Sequence, residues 1–251
     1  MIRLRFYEEL NDFLDPERRK CSFSIPFNFT RSVKDLIESL GVPHVEVDLI
    51  LVNGESVGFD YLVQDGDLIS VYPVFEGLDI SEVTRLRPQP LRESRFIADV
   101  HLKTLVRKLR MLGFDTLYDP SWDDPELAAV SNREERILLT RDRGLLKRSI
   151  VRRGLYIRSH RPDEQLREVI RRLDLSKSAR PLSRCIRCNG PLERIGLQKA
   201  LDENSDGAPI PRDVQEEQKE ISRCTRCGKF YWRGSHYDRM IAQIRSILFS
   251  A

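Results

Sequence analysis

The chain has 251 residues, 40% apolar and 32% charged, which gives room for one large domain or two to three small ones. No run approaches the ~18 consecutive apolar residues of a transmembrane helix, and the opening MIRLRFYEEL alternates like a strand and unlike a signal peptide, so the expected compartment is the cytoplasm. The net charge of +3 conceals an asymmetry: 7 basic against 15 acidic residues over 1–80, 23 against 15 over 81–180 and 12 against 9 over 181–251, a basic middle suited to a polyanion such as nucleic acid.

Residues 1–78 read as a small α+β domain. Ile2, Leu4 and Phe6 alternate as a strand, with Cys21–Phe27 as the hairpin partner. Ser32 precedes an apolar 3–4 spacing from Val33 that is closed by Gly41 and Pro43, the pattern of a capped helix. Val47–Val52 is a strand ending at the turn Asn53-Gly54, and Asp65-Gly66-Asp67 leads into a last strand, Leu68–Tyr72. This order, with VNGE and LVQDGDLISVYPVF, resembles the β-grasp sulfur carriers of the ThiS/MoaD type. Carriers of that kind end in a free Gly-Gly, whereas here the place reads Glu76-Gly77-Leu78-Asp79 and the chain continues. Carrier chemistry is therefore not expected, and docking or regulation is.

Residues 79–95 contain Pro88 and Pro90, lack periodicity and read as a linker. From Phe96 the chain alternates strand and helix. RFIAD and RILLTRD are apolar strands closed by Asp99 and Asp142. The helix between them puts Leu102, Leu105, Val106, Leu109 and Leu112 on one face and Lys103, Arg107, Lys108 and Arg110 on the other, with Gly113 as its stop. Trp122-Asp123-Asp124-Pro125 starts a second helix, with Asp124 as N-cap and Pro125 at N1. Gly154–Ser159 supplies a further strand and Asp163–Leu173 a further helix. The repeats predict a three-layer α/β/α unit with a parallel sheet over 96–178. In such sheets the carboxyl ends of strands share one crevice. Two aspartates aimed into it repel unless a cation lies between them, and a divalent metal with carboxylates suits phosphodiester cleavage.

Residues 179–251 hold Cys185-x-x-Cys188 and Cys224-x-x-Cys227, the spacing of a zinc ribbon. Four thiolates close the coordination shell, so Zn²⁺ is expected to be structural. The acidic stretch Asp202–Glu220 reads as a mobile loop and Cys21 as a core residue on its strand. Phe230, Tyr231 and Trp232 suit either base stacking or a small core; His236 is not needed as a ligand.

The run RFIADVHLKTLVRKLRMLGFDT…DDPEL…ERILLTRDRGLL, continued by CIRCNGPL…CTRCGKFYWRGSH, resembles the Mutator-seven C-terminal ribonuclease family, a PIN-like nuclease domain. The resemblance covers nearly the whole chain, since that family tolerates an N-terminal ubiquitin-like domain. It implies catalytic, metal-binding acids at Asp99, Asp124 and Asp142, holding Mg²⁺ or Mn²⁺, and makes capping and metal binding by Asp124 compatible. PIN nucleases commonly add a fourth acid, for which Asp119, Asp123, Glu126 and Asp163 are candidates. The implied chemistry is in-line attack of water on an RNA phosphodiester, leaving a 5′-phosphate. Lys103, Arg107, Arg110 and Arg141 are the candidate phosphate contacts, and His101 lies close to Asp99 in sequence.

The expectation is thus a cytoplasmic, metal-dependent ribonuclease, endonucleolytic in mode, of three modules: 1–78, 96–178 and 179–251. Its partners would be RNA and, through the acidic β-grasp domain, a protein or the rest of the chain itself. The alternative is a non-catalytic RNA- or ribosome-binding adaptor; a toxin-like nuclease is disfavoured because such toxins are single-domain.

Overall fold

A computed structural model describes residues 1–74, 80, 82–86, 94–203 and 209–249, so the Glu76-Gly77 step and most of the expected linker lie outside the described residues. Twelve strands and eight α-helices are formed among them. In chain order they are β1 Ile2–Phe6, β2 Phe23–Ile25, α1 Val33–Ser39, β3 Val47–Val52, β4 Glu55–Ser56, β5 Leu68–Pro73 and β6 Phe96–Ala98. Next come α2 Lys103–Met111, β7 Thr116–Leu117, α3 Asp124–Arg133, β8 Ile137–Thr140, α4 Arg143–Leu146, β9 Gly154–Tyr156 and α5 Pro162–Arg172. The last are β10 Leu192–Gly196, α6 Leu197–Glu203, α7 Arg212–Glu217, β11 Glu220–Cys224, β12 Phe230–Tyr231 and α8 Ser235–Phe249. None of the described helices is long and apolar enough to cross a membrane.

The chain forms two compact units, one of residues 1–101 and 121–157, the other of 102–120 and 158–251. The first contains a mixed five-stranded sheet ordered β2-β1-β5-β3-β4. Its centre is the parallel pair β1–β5, with Leu4 beside Ile69 and Phe6 beside Val71, and antiparallel neighbours flank it. Alternation along β1 sends Ile2, Leu4 and Phe6 inward, where they meet Leu36 and Ile37 of α1, the arrangement of a β-grasp. Ser32 caps α1 by accepting from Asp35 N–H at 3.0 Å. Asn53 and Gly54 both take positive φ, 52° and 89°, as a tight two-residue hairpin turn between β3 and β4 requires. Asp67 is 4% exposed yet fully engaged, accepting from Asn53 Nδ2, the Tyr61 hydroxyl and Gln64 N–H. Cys21 is not in the core; it is exposed and lies before β2, because the strand begins only at Phe23.

The same unit contains the parallel strands β6, β8 and β9, with β8 in the middle. All four residues of β8 are buried, the signature of a strand covered on both faces. Helix α3 packs on β6 and β8, and α4 on β8 and β9. The β-grasp docks here. His44 Nε2 is 3.0 Å from the Val151 carbonyl, Lys147 Nζ donates to the Glu38 carbonyl at 2.7 Å, and the buried Glu46 accepts from Tyr156 N–H at 2.5 Å. Phe13 meets Tyr156 edge to face, with the Arg143 guanidinium 5.1 Å from the Phe13 ring centre. Gly154 permits the close approach: a Cβ there would lie 2.5 Å from Leu146 Cδ2 and 3.3 Å from Val45 Cγ2.

In the second unit α2 packs on α5, and α5 on α8. The apolar face expected for α2 is buried as read, and Gly113 ends the helix with φ 93°. An antiparallel sheet is ordered β10-β11-β12, with Cys185 and Cys188 ahead of β10, Cys224 at the end of β11 and Cys227 in the turn before β12. The acidic stretch between the knuckles is not one loop. It contains the end of α6, then α7, whose Val214 anchors in a small cluster with Ile195, Ala200, Ile210 and Ile221.

Candidate active site and metal centre

Asp99 follows β6 directly, and its N–H donates to the Leu139 carbonyl of β8 at 3.0 Å, which fixes it at the carboxyl end of the parallel sheet. It is 7% exposed, and its Oδ2 accepts the Thr140 hydroxyl at 2.7 Å. The same Thr140 Oγ1 accepts from Asp142 N–H at 2.9 Å. Asp142 is the N-cap of α4, its Oδ1 accepting from Gly144 N–H at 2.6 Å and Leu145 N–H at 3.3 Å. Two of the three expected acids are thus tied together through one hydroxyl, which the sequence reading did not single out. Asp99 Oδ1 and Asp142 Oδ2 take no hydrogen bond among the described residues. Free carboxylate oxygens on rigidly held acids are the hard donors that Mg²⁺ or Mn²⁺ accepts.

The cap of α3 is Asp123, not Asp124: its side chain accepts from Glu126 N–H at 2.9 Å, and Asp124 is the first helical residue. The one-residue shift arises because Asp123 has the extended backbone of an N-cap, φ −84° and ψ 174°, which places Pro125 second in the helix. Asp124 therefore has no capping duty. Its ligand atoms and those of Asp99 and Asp142 do not all lie within 4.8 Å of one another. Of the fourth-acid candidates, Asp123 serves as the cap, and Asp163 is held by Lys108 Nζ at 2.7 Å and Gln243 Nε2 at 3.0 Å. The Lys108 hydrogen bond holds the Asp163 carboxyl below the usual carboxylate range.

Among the described residues, Cys185, Cys188, Cys224 and Cys227 are the group of metal-ligand type whose ligand atoms lie within 4.8 Å of one another. The Sγ atoms of Cys185 and Cys227 are 3.7 Å apart and those of Cys188 and Cys224 are 3.4 Å apart. Zinc with Zn–S bonds of ~2.3 Å sets tetrahedral sulfurs ~3.8 Å apart, so the spacing fits. Backbone N–H groups of Cys188, Arg226 and Cys227 point at sulfur, the arrangement that stabilises thiolate charge. Gly190 leaves the room: a Cβ there would lie 2.9 Å from Cys224 Sγ. The Tyr231 hydroxyl reaches Cys185 Sγ at 3.1 Å. Burial raises the Cys185 thiol, but hydrogen bonds from Tyr231 and the backbone overcome it and bring it to about 7. Cys188, Cys224 and Cys227 are pushed up, chiefly by burial. Tyr231, Asn189 and Gly190 were not picked out from sequence as supports of the metal centre; the Gly after the first knuckle was the available signal.

The candidate phosphate contacts divide. Lys103 and Arg107 are exposed on α2. Arg141 is half-buried and already engaged. Arg110 takes a different task from the one expected: it is 6% exposed and donates to the carbonyls of Thr116 at 2.9 Å, Ile186 at 3.2 Å and Arg187 at 2.9 Å. Burial lowers its pKa, and the guanidinium joins α2 to the first cysteine knuckle. Asn189 completes that joint, accepting from Thr116 N–H at 3.0 Å and donating to Asp115 at 2.7 Å.

Neither a curated protein nor a solved structure gives a match to this chain. Residues 1–79 match the Mut7-C ubiquitin family and residues 94–244 the Mut7-C RNAse domain, in the order that the sequence resemblance implies. The second match supports a ribonuclease-type function with RNA as substrate. With more than half of its length inside that match, the chain belongs to the Mut7-C RNAse domain family.

Proposed function

We propose that the protein is a metal-dependent ribonuclease that hydrolyses RNA phosphodiester bonds endonucleolytically. The observation that carries this reading is the Thr140 hydroxyl joining Asp99 and Asp142 at the ends of adjacent parallel strands. Mg²⁺ commonly binds through one or two protein carboxylates, completed by water and substrate phosphate, so this pair suffices as its core, with Asp124 as the third acid. A divalent cation held there would supply Lewis-acid activation of water and offset charge on the phosphoryl oxygens. Thr140 holds the Asp99 carboxylate in one orientation, and the first N–H groups of α4 hold that of Asp142. Lys103, Arg107 and Arg141 supply positive charge for phosphates.

The four cysteines act as a structural Zn²⁺ site, closed to substrate, and a cytoplasmic setting keeps their thiols reduced. The modules are 1–78, 96–178 and 179–251, with the β-grasp acting through docking and not through carrier chemistry. A non-catalytic RNA- or ribosome-binding adaptor is the second reading, favoured by the spread of Asp99, Asp124 and Asp142 beyond a 4.8 Å cluster. Incubating the purified protein with RNA, with and without Mn²⁺ or Mg²⁺, separates the two: metal-dependent cleavage supports the nuclease, and tight binding without turnover supports the adaptor.

A further inference from the structure

The second unit contains a cleft of about 1150 Å³ walled by α2, α7, the cysteine ribbon and α8. That exceeds the roughly 300–1,000 Å³ of pockets for small ligands and suits a segment of polymer. Four exposed cations line it: Lys103 and Arg107 from α2, Arg187 from inside the first knuckle and Lys229 from just past the second. None of the four forms an ion pair with a described carboxylate, unlike Lys108, which is taken by Asp163. Asp213 is the one carboxylate on the wall among the described residues. The cleft is therefore positive, as a polyanion requires.

Its second feature is aromatic. Tyr118, Phe230, Trp232 and Tyr237 line the same cleft, half-buried. Phe230 and Trp232 are braced against the small ribbon core, and Arg233 lies 5.9 Å from the Tyr237 ring centre. Rings held rigid at a positive surface stack on bases, and a base offers its face only when it is out of a duplex.

We propose that this cleft binds single-stranded RNA, with phosphates along Lys103, Arg107, Arg187 and Lys229 and bases stacked on Trp232 and Tyr237. The choice of RNA over another single-stranded polyanion rests on the ribonuclease reading; the preference for a single strand rests on the rings.

The test measures binding of the full chain, without added Mg²⁺ or Mn²⁺, to labelled oligouridylate and oligoadenylate of about 12 nucleotides and to a duplex of equal length. The single strands should bind at least about tenfold tighter than the duplex. Converting Lys103→Ala and Arg107→Ala together should flatten the salt dependence of log K by about 1.4, or ~0.7 per lost phosphate contact. Trp232→Ala should weaken binding by roughly 5- to 150-fold, and Trp232→Phe should keep most of it. Since Trp232 also braces the ribbon, zinc content is read in parallel, and the α2 pair lies outside that core. Equal affinity for the duplex, or variants that bind as wild type, overturns the proposal. Cleavage with Mn²⁺, followed on the same preparations, separates the two readings: cleavage with unaffected groove variants sinks the groove alone, and groove-dependent binding without cleavage sinks the ribonuclease alone.

Discussion

Thr140 and Asp99 are joined by a 2.7 Å hydrogen bond between a buried hydroxyl and a buried carboxylate, while the same hydroxyl accepts the N–H of Asp142. Thr140→Val keeps the shape and β-propensity of the residue and removes both bonds. It should cost about 1–3 kcal/mol of stability, the toll for a buried group left unpaired. Metal-dependent RNA cleavage should fall by roughly 10–100-fold, as for other residues that orient metal ligands. Urea unfolding and a cleavage time course measure the two effects; unchanged cleavage would show that Thr140 does not position the site.

Arg110 should behave as a structural residue. Arg110→Met preserves much of the volume but leaves the carbonyls of Thr116, Ile186 and Arg187 without their donor. A loss of about 3–5 kcal/mol is expected, and Arg110→Lys should recover only part of it, since an ammonium cannot match the planar fork. Chemical denaturation decides. A variant as stable as wild type would return Arg110 to the candidate phosphate contacts.

Zinc uptake should be strongly pH-dependent. Near pH 7 the metal-free site holds three protonated thiols, because Cys188, Cys224 and Cys227 are pushed up, and one half-ionised thiol, because Cys185 lies at about 7. Binding requires four thiolates, so between three and four protons should leave per zinc, and affinity should drop as pH falls. Calorimetry in buffers of different ionisation enthalpy counts those protons. Release of about one proton would contradict a four-thiolate site.

Docking of the β-grasp should contribute to stability. Glu46→Ala removes the acceptor of Tyr156 N–H and should cost about 1–3 kcal/mol. Thermal unfolding tests this, and a neutral result would mean that the docking contact contributes nothing.

The legible parts of the chain were those set by local pattern. The apolar spacing of α2, the Gly113 stop, the Ser32 cap and the two cysteine knuckles all follow from residues within one or two turns of each other, and the structure places them as read. The misread parts depended on distant partners or on adjacent equivalents. Arg110 shares the polar face of α2 with Lys103 and Arg107, and its bonds to Thr116 and to residues 76 and 77 positions onward in the chain turn it inward. Asp123 and Asp124 are chemically identical neighbours before a proline, and the backbone of Asp123 decides which one caps. Helix α7 lies in a stretch that composition marks as an acidic loop, because the single buried Val214 anchors it. Thr140 stood in view within LLTRD, but its bond to Asp99 crosses between parallel strands and has no trace in spacing.

The most direct test of the central claim is cleavage of RNA in Mn²⁺ by wild type, Asp99→Asn and Asp142→Asn. Asn caps helices as well as Asp does, so Asp142→Asn should keep α4 and the fold while removing one ligand charge. Wild type should cleave only when the divalent metal is present, and each variant should lose activity beyond the roughly 10–100-fold that a supporting residue costs. Metal-dependent cleavage that survives in both folded variants would contradict the assignment of this site.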